Sequence, residues 1–382
     1  MKALKIAFLL CCLIMSSCKD PFTPEVSKNY KDLLVVEGFI NIGGTTQIKV
    51  SRSIDLQDSR STDPEKNATI TIEGEDGSVV TGKSTEKGEC FLMTQNLVLG
   101  KKYKARIILA SGKVYETGYL ATKATPEIDS ISYAITDKGF QIFANTHDPA
   151  NDTRFYTWDY EETWEVGVPF VSTMEFKNSQ VVARDPSVNI QRCWTSSKSS
   201  TILLGSTARL SEDKLTLVPI VYIPGNSVKV AKLYSILVRQ YGLTKDAYEF
   251  MERMKKNTEQ IGGIFDVQPS ELKGNLVCIS DPAEKVLGWI SAGTIVEKRI
   301  FISYQDKPSS GVNWVYRENC NASVIDKDSL VYYIRSNKFI VNEMYAETYP
   351  GGPLMYKYTM STEECIDCRL QGSNLKPAFW PN

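Results

Sequence analysis

The chain has 382 residues, with 44 lysines and arginines against 45 aspartates and glutamates and a formal net charge of −1. No basic block stands out along it, which argues against nucleic acid as a partner, because phosphate binding needs clustered Lys and Arg. One histidine leaves little material for histidine-based catalysis, and nine cysteines ask for a redox assignment.

At the amino terminus Lys2 and Lys5 precede an uncharged apolar run over residues 6–15, followed by Ser16, Ser17 and Cys18. A run of this length is about half of the roughly 20 residues a helix needs to cross a bilayer, so it reads as a signal h-region and not as a permanent span. Met15-Ser16-Ser17-Cys18 resembles a bacterial lipobox, which predicts a signal peptide over residues 1–17, cleavage before Cys18 and a diacylglycerol on its thiol. Each buried acyl methylene contributes about 0.8 kcal/mol, enough for two or three chains to hold a protein at a membrane. Residues 18–32, polar and containing Pro21 and Pro24, read as a short tether. The charged pair Lys19-Asp20 resembles a surface-export signal; the alternative is a periplasm-facing lipoprotein. Loss of Lys2 and Lys5 with the leader leaves 42 basic against 45 acidic residues.

From residue 33 to 123 the pattern has period two, that of half-buried strands, clearest in Ala68-Thr69-Ile70-Thr71-Ile72. Glu73 to Gly77 and Ser111-Gly112 supply turns. Short strands at this spacing predict an antiparallel β-sandwich, which is similar to the Ig-like, regulatory-type sandwich found beside carboxypeptidases and at the front of many outer-membrane receptors. Thr125-Pro126 marks a boundary. Residues 124–382 read as a larger β-rich domain, with strands over 156–164, 215–223, 228–240, 276–279, 295–304 and 331–341. One segment departs from it: Leu243, Ala247, Phe250, Met251 and Met254 fall at helical spacing, Thr244 can cap the first turn, and Gly262-Gly263 can end it. This predicts one amphipathic helix near 245–260, packed on a sheet. The fold class is therefore mostly β.

Cys11 and Cys12 leave with the signal and Cys18 is the lipidation site, so six cysteines remain. In an oxidising compartment Cys193, Cys278, Cys320, Cys365 and Cys368 are disulfide candidates, with Cys320 expected to join Cys365 or Cys368, and Cys90 a buried free thiol. Cys365-Ile366-Asp367-Cys368 has zinc-knuckle spacing, but no second closely spaced ligand pair accompanies it, and no metal or other cofactor is expected. His147 sits in a turn-like segment without an activating context, so no catalytic residue is assigned. Tyr156, Trp158 and Tyr160 alternate on one strand face, as core residues do, while adjacent Glu161 and Glu162 should point to opposite faces. There is no Gly-rich phosphate loop.

Several stretches together resemble an uncharacterised Bacteroidetes lipoprotein family, domain of unknown function 4249. They include Leu34-Val35-Val36-Glu37-Gly38, Phe155-Tyr156-Thr157-Trp158, Glu161-Glu162-Thr163-Trp164, Tyr234-Ser235-Ile236-Leu237-Val238, Val286-Leu287-Gly288-Trp289 and the tail from Cys365 to Trp380. The resemblance implies an envelope lipoprotein often encoded beside a TonB-dependent outer-membrane receptor, and no known activity. The expected function is thus a non-enzymatic, lipid-anchored outer-membrane partner of such a receptor in nutrient uptake, its ligand unidentified. A glycan or peptide hydrolase and an adhesin or structural envelope protein are the alternatives.

Overall fold

The computed structural model describes residues 32–54, 63–259, 272–308, 319–347 and 350–381. The signal peptide, Cys18 and nearly all of the tether lie outside them, as does Gly262-Gly263. Half of the chain is strand and only a small part helix, so the mostly β expectation holds.

The first unit begins with β1 (Leu34–Asn41), β2 (Thr45–Arg52), β3 (Asp63–Pro64), β4 (Thr69–Gly74), β5 (Val79–Lys83), β6 (Glu89–Met93), β7 (Lys102–Ile108), β8 (Val114–Thr117) and β9 (Leu120–Lys123). The turns at Gly77 and Gly112, both with positive φ, join β4 to β5 and β7 to β8. Two layers form: β1, β2, β3 and β6 in one, β4, β5, β7 and β8 in the other. Their inward residues, among them Val36, Ile40, Ile48, Ile70, Ile72, Tyr103 and Ile107, make one core. Alternation alone explains which side chains these are, because successive residues of a strand face opposite ways.

The next segment supplies β10 (Ile128–Ile135), β11 (Gly139–His147), β12 (Phe155–Gly167), β13 (Met174–Lys177), β14 (Gln180–Ala183), β15 (Arg192–Lys198), β16 (Leu203–Ser206), β17 (Lys214–Pro224) and β18 (Leu233–Gly242), then helix α1 (Lys245–Glu259). After it come β19 (Leu276–Cys278), β20 (Val286–Gly293) and β21 (Ile295–Ser303). The sheet β10-β11-β17 packs on the sheet β15-β12-β18-β21 over Phe140, Ile142, Tyr156, Trp158, Tyr234, Ile236 and Val238.

The first unit does not close at residue 123. β20 returns from far along the chain to lie parallel to both β1 and β9, and β19 pairs with β8. The sandwich is therefore not wholly antiparallel, and it is completed by residues 276–293. The chain passes between the units at Thr125 and again at Thr294, where Thr125 N–H donates to Thr294 Oγ1 at 2.8 Å and Gly242 N–H donates to Thr125 Oγ1 at 2.9 Å.

The remaining elements are β22 (Ser323–Asp326), the short helix α2 (Leu330–Arg335), β23 (Phe339–Glu347) and β24 (Leu354–Ser361), a three-stranded sheet with its own small core. A strand expected over 331–341 is thus corrected: residues 330–335 are helical and the strand starts at Phe339. Only Leu330 of that helix is buried, and Asn337, at positive φ, turns the chain into β23. Local apolar content does not separate a six-residue helix from a strand of the same length.

Two disulfides, Cys193–Cys368 and Cys320–Cys365, fasten the tail to the body. The Cys320 expectation is met, and both sulfurs of the Cys365/Cys368 spacing are consumed. Cys90 is free and buried, as expected. Cys278 is a correction to the disulfide candidates: it ends β19 inside the first core, where its side chain meets Ser280 and Glu284 and no second cysteine.

A candidate binding cleft between the two sheets

The outward faces of the two large sheets confront one another. On β1 and β2 the alternation that buries Val36 and Ile48 turns Glu37, Phe39, Gln47 and Lys49 outward. Register then sets Glu37, Lys49 and Glu89 in one cross-strand row, and Ser291, Phe39, Gln47 and Phe91 in the next. On the facing sheet Asp159, Arg239 and Glu297 form a row, beside Thr157, Tyr241 and Ile295. Opposite charges placed directly across strands stabilise a sheet by roughly 0.2–1 kcal/mol per pair.

Between these faces lies a cleft of about 1320 Å³. At its base Phe39 meets Tyr241 edge-on, ring centroids 5.0 Å apart. Helix α1 clamps one end by reaching both units, Phe250 stacking on Trp289 of β20 and Tyr248 against Phe155 of β12. Thr244 accepts from Ala247 N–H, as a cap should, and Ala247 and Phe250 are its buried stripe while Met251 lines the cleft.

Arg239 organises the floor. Its Nη1 lies 3.0 Å from Asp159, its Nη2 3.3 Å from Glu161 and its Nε 2.8 Å from Glu297, and Tyr241 donates its hydroxyl to Asp159. Burial works to lower the guanidinium, but the carboxylates outweigh it and hold Arg239 above its ordinary value. Burial, followed by the Asp159 charge, pushes the Tyr241 phenol up, so it stays a donor. The floor is a set of carboxylate acceptors fixed around one guanidinium. A fork with five N–H groups is suited to such a role, being planar and always charged.

The aromatic strand is core, with Tyr156 and Trp158 fully buried and stacked at 5.8 Å. Trp158 donates its indole N–H to Gln240, and Gln240 in turn donates to Pro126 O and Thr146 Oγ1. Glu161 and Glu162 do diverge: Glu161 faces the floor, whereas Glu162 is 3% exposed, accepts from Tyr234 and Ser197 and pairs with Lys229. The two carboxyls do not converge on one bond, as glycoside hydrolysis requires of its pair. His147 ends β11, half exposed, with Nδ1 2.7 Å from Asp129. Among the described residues no serine or cysteine completes a triad with it, and no group of three His, Cys, Asp or Glu side chains is arranged to hold a metal. No helix of the described residues is long and apolar enough to cross a membrane.

A family model described as a domain of unknown function, DUF4249, matches residues 19–299. The chain belongs to that family. No curated protein matches it. The DUF4249 span contains both walls of the cleft, from Glu37 to Glu297, while the small sheet of β22 to β24 and the cysteines at 320, 365 and 368 lie past its end. The cleft rows were missed by sequence reasoning, which looked for catalytic spacing. The available signal is polar or charged side chains at alternate positions of strands whose other face is apolar, as in Asp159-Tyr160-Glu161 and Gln47-Ile48-Lys49.

Proposed function

We propose that this DUF4249 chain is a lipid-anchored envelope protein, held through Cys18, that works without catalysis as the partner of a TonB-dependent outer-membrane receptor and binds a nutrient in its cleft. The observation that carries the binding half is the cleft itself: a concavity of about 1320 Å³ built on strands and clamped by α1. Small-molecule sites are typically concave and formed before the ligand arrives. Each floor carboxylate already answers an N–H of Arg239, which suits recognition by fixed polar groups more than proton transfer. The leader and Cys18 supply the address, and the family likeness supports the receptor partnership.

Co-purification under mild detergent, from cells expressing the neighbouring receptor, tests the proposal. The receptor should elute with the chain. A chain that returns alone under conditions that keep other envelope pairs together refutes the partnership.

A further inference from the structure

We infer that the cleft takes a ligand bearing ammonium or guanidinium groups. This rests on the binding reading above and adds the chemistry of the ligand.

The charges come first. Each wall carries an acid–cation–acid row, Glu37-Lys49-Glu89 on one side and Asp159-Arg239-Glu297 on the other. In each row a single cation sits between two carboxylates, so both walls carry a surplus of negative charge. Glu127 adds a carboxylate at the rim and Lys198 a cation, leaving five carboxylates against three cations in the lining. Glu161, on the third arm of Arg239, and Arg299, in the same cross-strand row, offset one another and leave that count unchanged. Among the described residues Glu37, Glu89 and Glu127 of the lining have no ion-pair partner, against Lys49 and Lys198 among the cations, so the unpaired charge that meets a ligand is also negative. Facing walls of low dielectric concentrate such a field and favour the opposite charge.

A second observation is independent of charge. Ser291 lines the cleft from β20, beside Phe39 in register, and is only 9% exposed. Its Oγ is buried and has no hydrogen-bond partner among the described residues. A buried hydroxyl left unpaired is costly, and its oxygen, with two free lone pairs, accepts from a ligand N–H that reaches the cleft wall. In the same row the Phe39 ring lines the cleft and meets Tyr241 of the floor. An aromatic face beside an acceptor-rich floor attracts a cation. An anionic ligand would meet the carboxylate surplus, and a neutral polyol would leave it uncompensated.

Isothermal titration of the detergent-purified mature chain with tri-lysine, spermidine, maltotriose and tri-glutamate tests the inference. At least one cation should bind ten or more times tighter than maltotriose and tri-glutamate, and its affinity should fall as salt rises. Binding of tri-lysine alone assigns a cationic peptide, and binding of spermidine alone a free polyamine. Glu37→Gln should weaken the cation by about threefold to tenfold, as should Ser291→Ala, with thermal unfolding confirming that each variant is folded. The inference is overturned if neither cation binds, if maltotriose or tri-glutamate binds as tightly, or if cation binding is unmoved by both variants. The two readings fail separately: receptor co-purification without a cation preference removes only the ligand class, and cation binding without the receptor removes only the partnership.

Discussion

Individual side chains decide where this fold is vulnerable. Glu162 is buried against the hydroxyl of Tyr234 and the ammonium of Lys229, which itself lies over the Trp164 ring. Removing one partner of a buried pair leaves the other charge without compensation. Glu162→Ala should therefore destabilise the protein by about 3 kcal/mol, at the low end of such losses because Lys229 keeps some contact with water; denaturant unfolding that shows no loss would contradict this. Glu284 is a titrating counterpart. Burial works to raise its carboxyl, but hydrogen bonds from Lys113 at 2.6 Å and Tyr115 at 2.7 Å outweigh it and hold the group below its ordinary 4.5. A carboxyl depressed in the folded state contributes stability that is complete above the ordinary glutamate range and is lost as pH falls through the folded value. The Tm difference between the native chain and Glu284→Gln should shrink on acidification below that range, and a difference constant with pH would contradict the assignment. The free thiols belong to this scale as well. Cys90 is buried, and burial pushes its thiol up. Both it and Cys278 should resist alkylation until the protein is unfolded, which mass spectrometry after iodoacetamide treatment measures.

At the scale of elements, the most exacting position is Gly288, where β20 passes β1. Its φ is +118°, and a Cβ there would fall 1.9 Å from the carbonyl oxygen of Val36. No other residue fits without moving a strand that completes the first sandwich. Gly288→Ala should cost about 3 kcal/mol, while Gly118→Ala, where a Cβ meets nothing within 4 Å, should stay within about 0.5 kcal/mol. Equal unfolding midpoints for the two variants would contradict this reading of β20. The elements also show what was legible in the sequence. Period-two alternation found the strands around Ile70-Thr71-Ile72 and the aromatic run from Tyr156, because their buried faces are set by nearest neighbours along the chain. Helix α1 was legible for the same reason at its own period. The parallel insertion of β20 was not, since a strand spanning Val286 to Gly293 looks the same whether it extends its own domain or returns to an earlier one. The cleft rows escaped likewise: pairing Glu37 with Lys49 and Asp159 with Arg239 depends on register, which a single strand does not encode.

At the scale of the whole molecule, two sheets face each other across a charged cleft, and a cross-linked tail covers another part of the sheet face that carries Arg239. Trp380 packs against Trp194 and Phe301, and Arg299 lies 3.6 Å over the Phe379 ring. The Cys193–Cys368 bridge spans 175 residues and the Cys320–Cys365 bridge 45. In the chain-entropy account the longer closure stabilises more, by roughly 1 kcal/mol. Replacing Cys193 and Cys368 together by alanine should therefore lower stability by about 2–5 kcal/mol and by more than replacing the shorter pair; the reverse order in thermal unfolding would contradict it. The functional proposal depends on where this body is held. Mass spectrometry of the mature amino terminus tests that most directly. The account predicts a first residue, Cys18, carrying acyl chains; an unmodified thiol at that residue, or an intact leader before it, would contradict it.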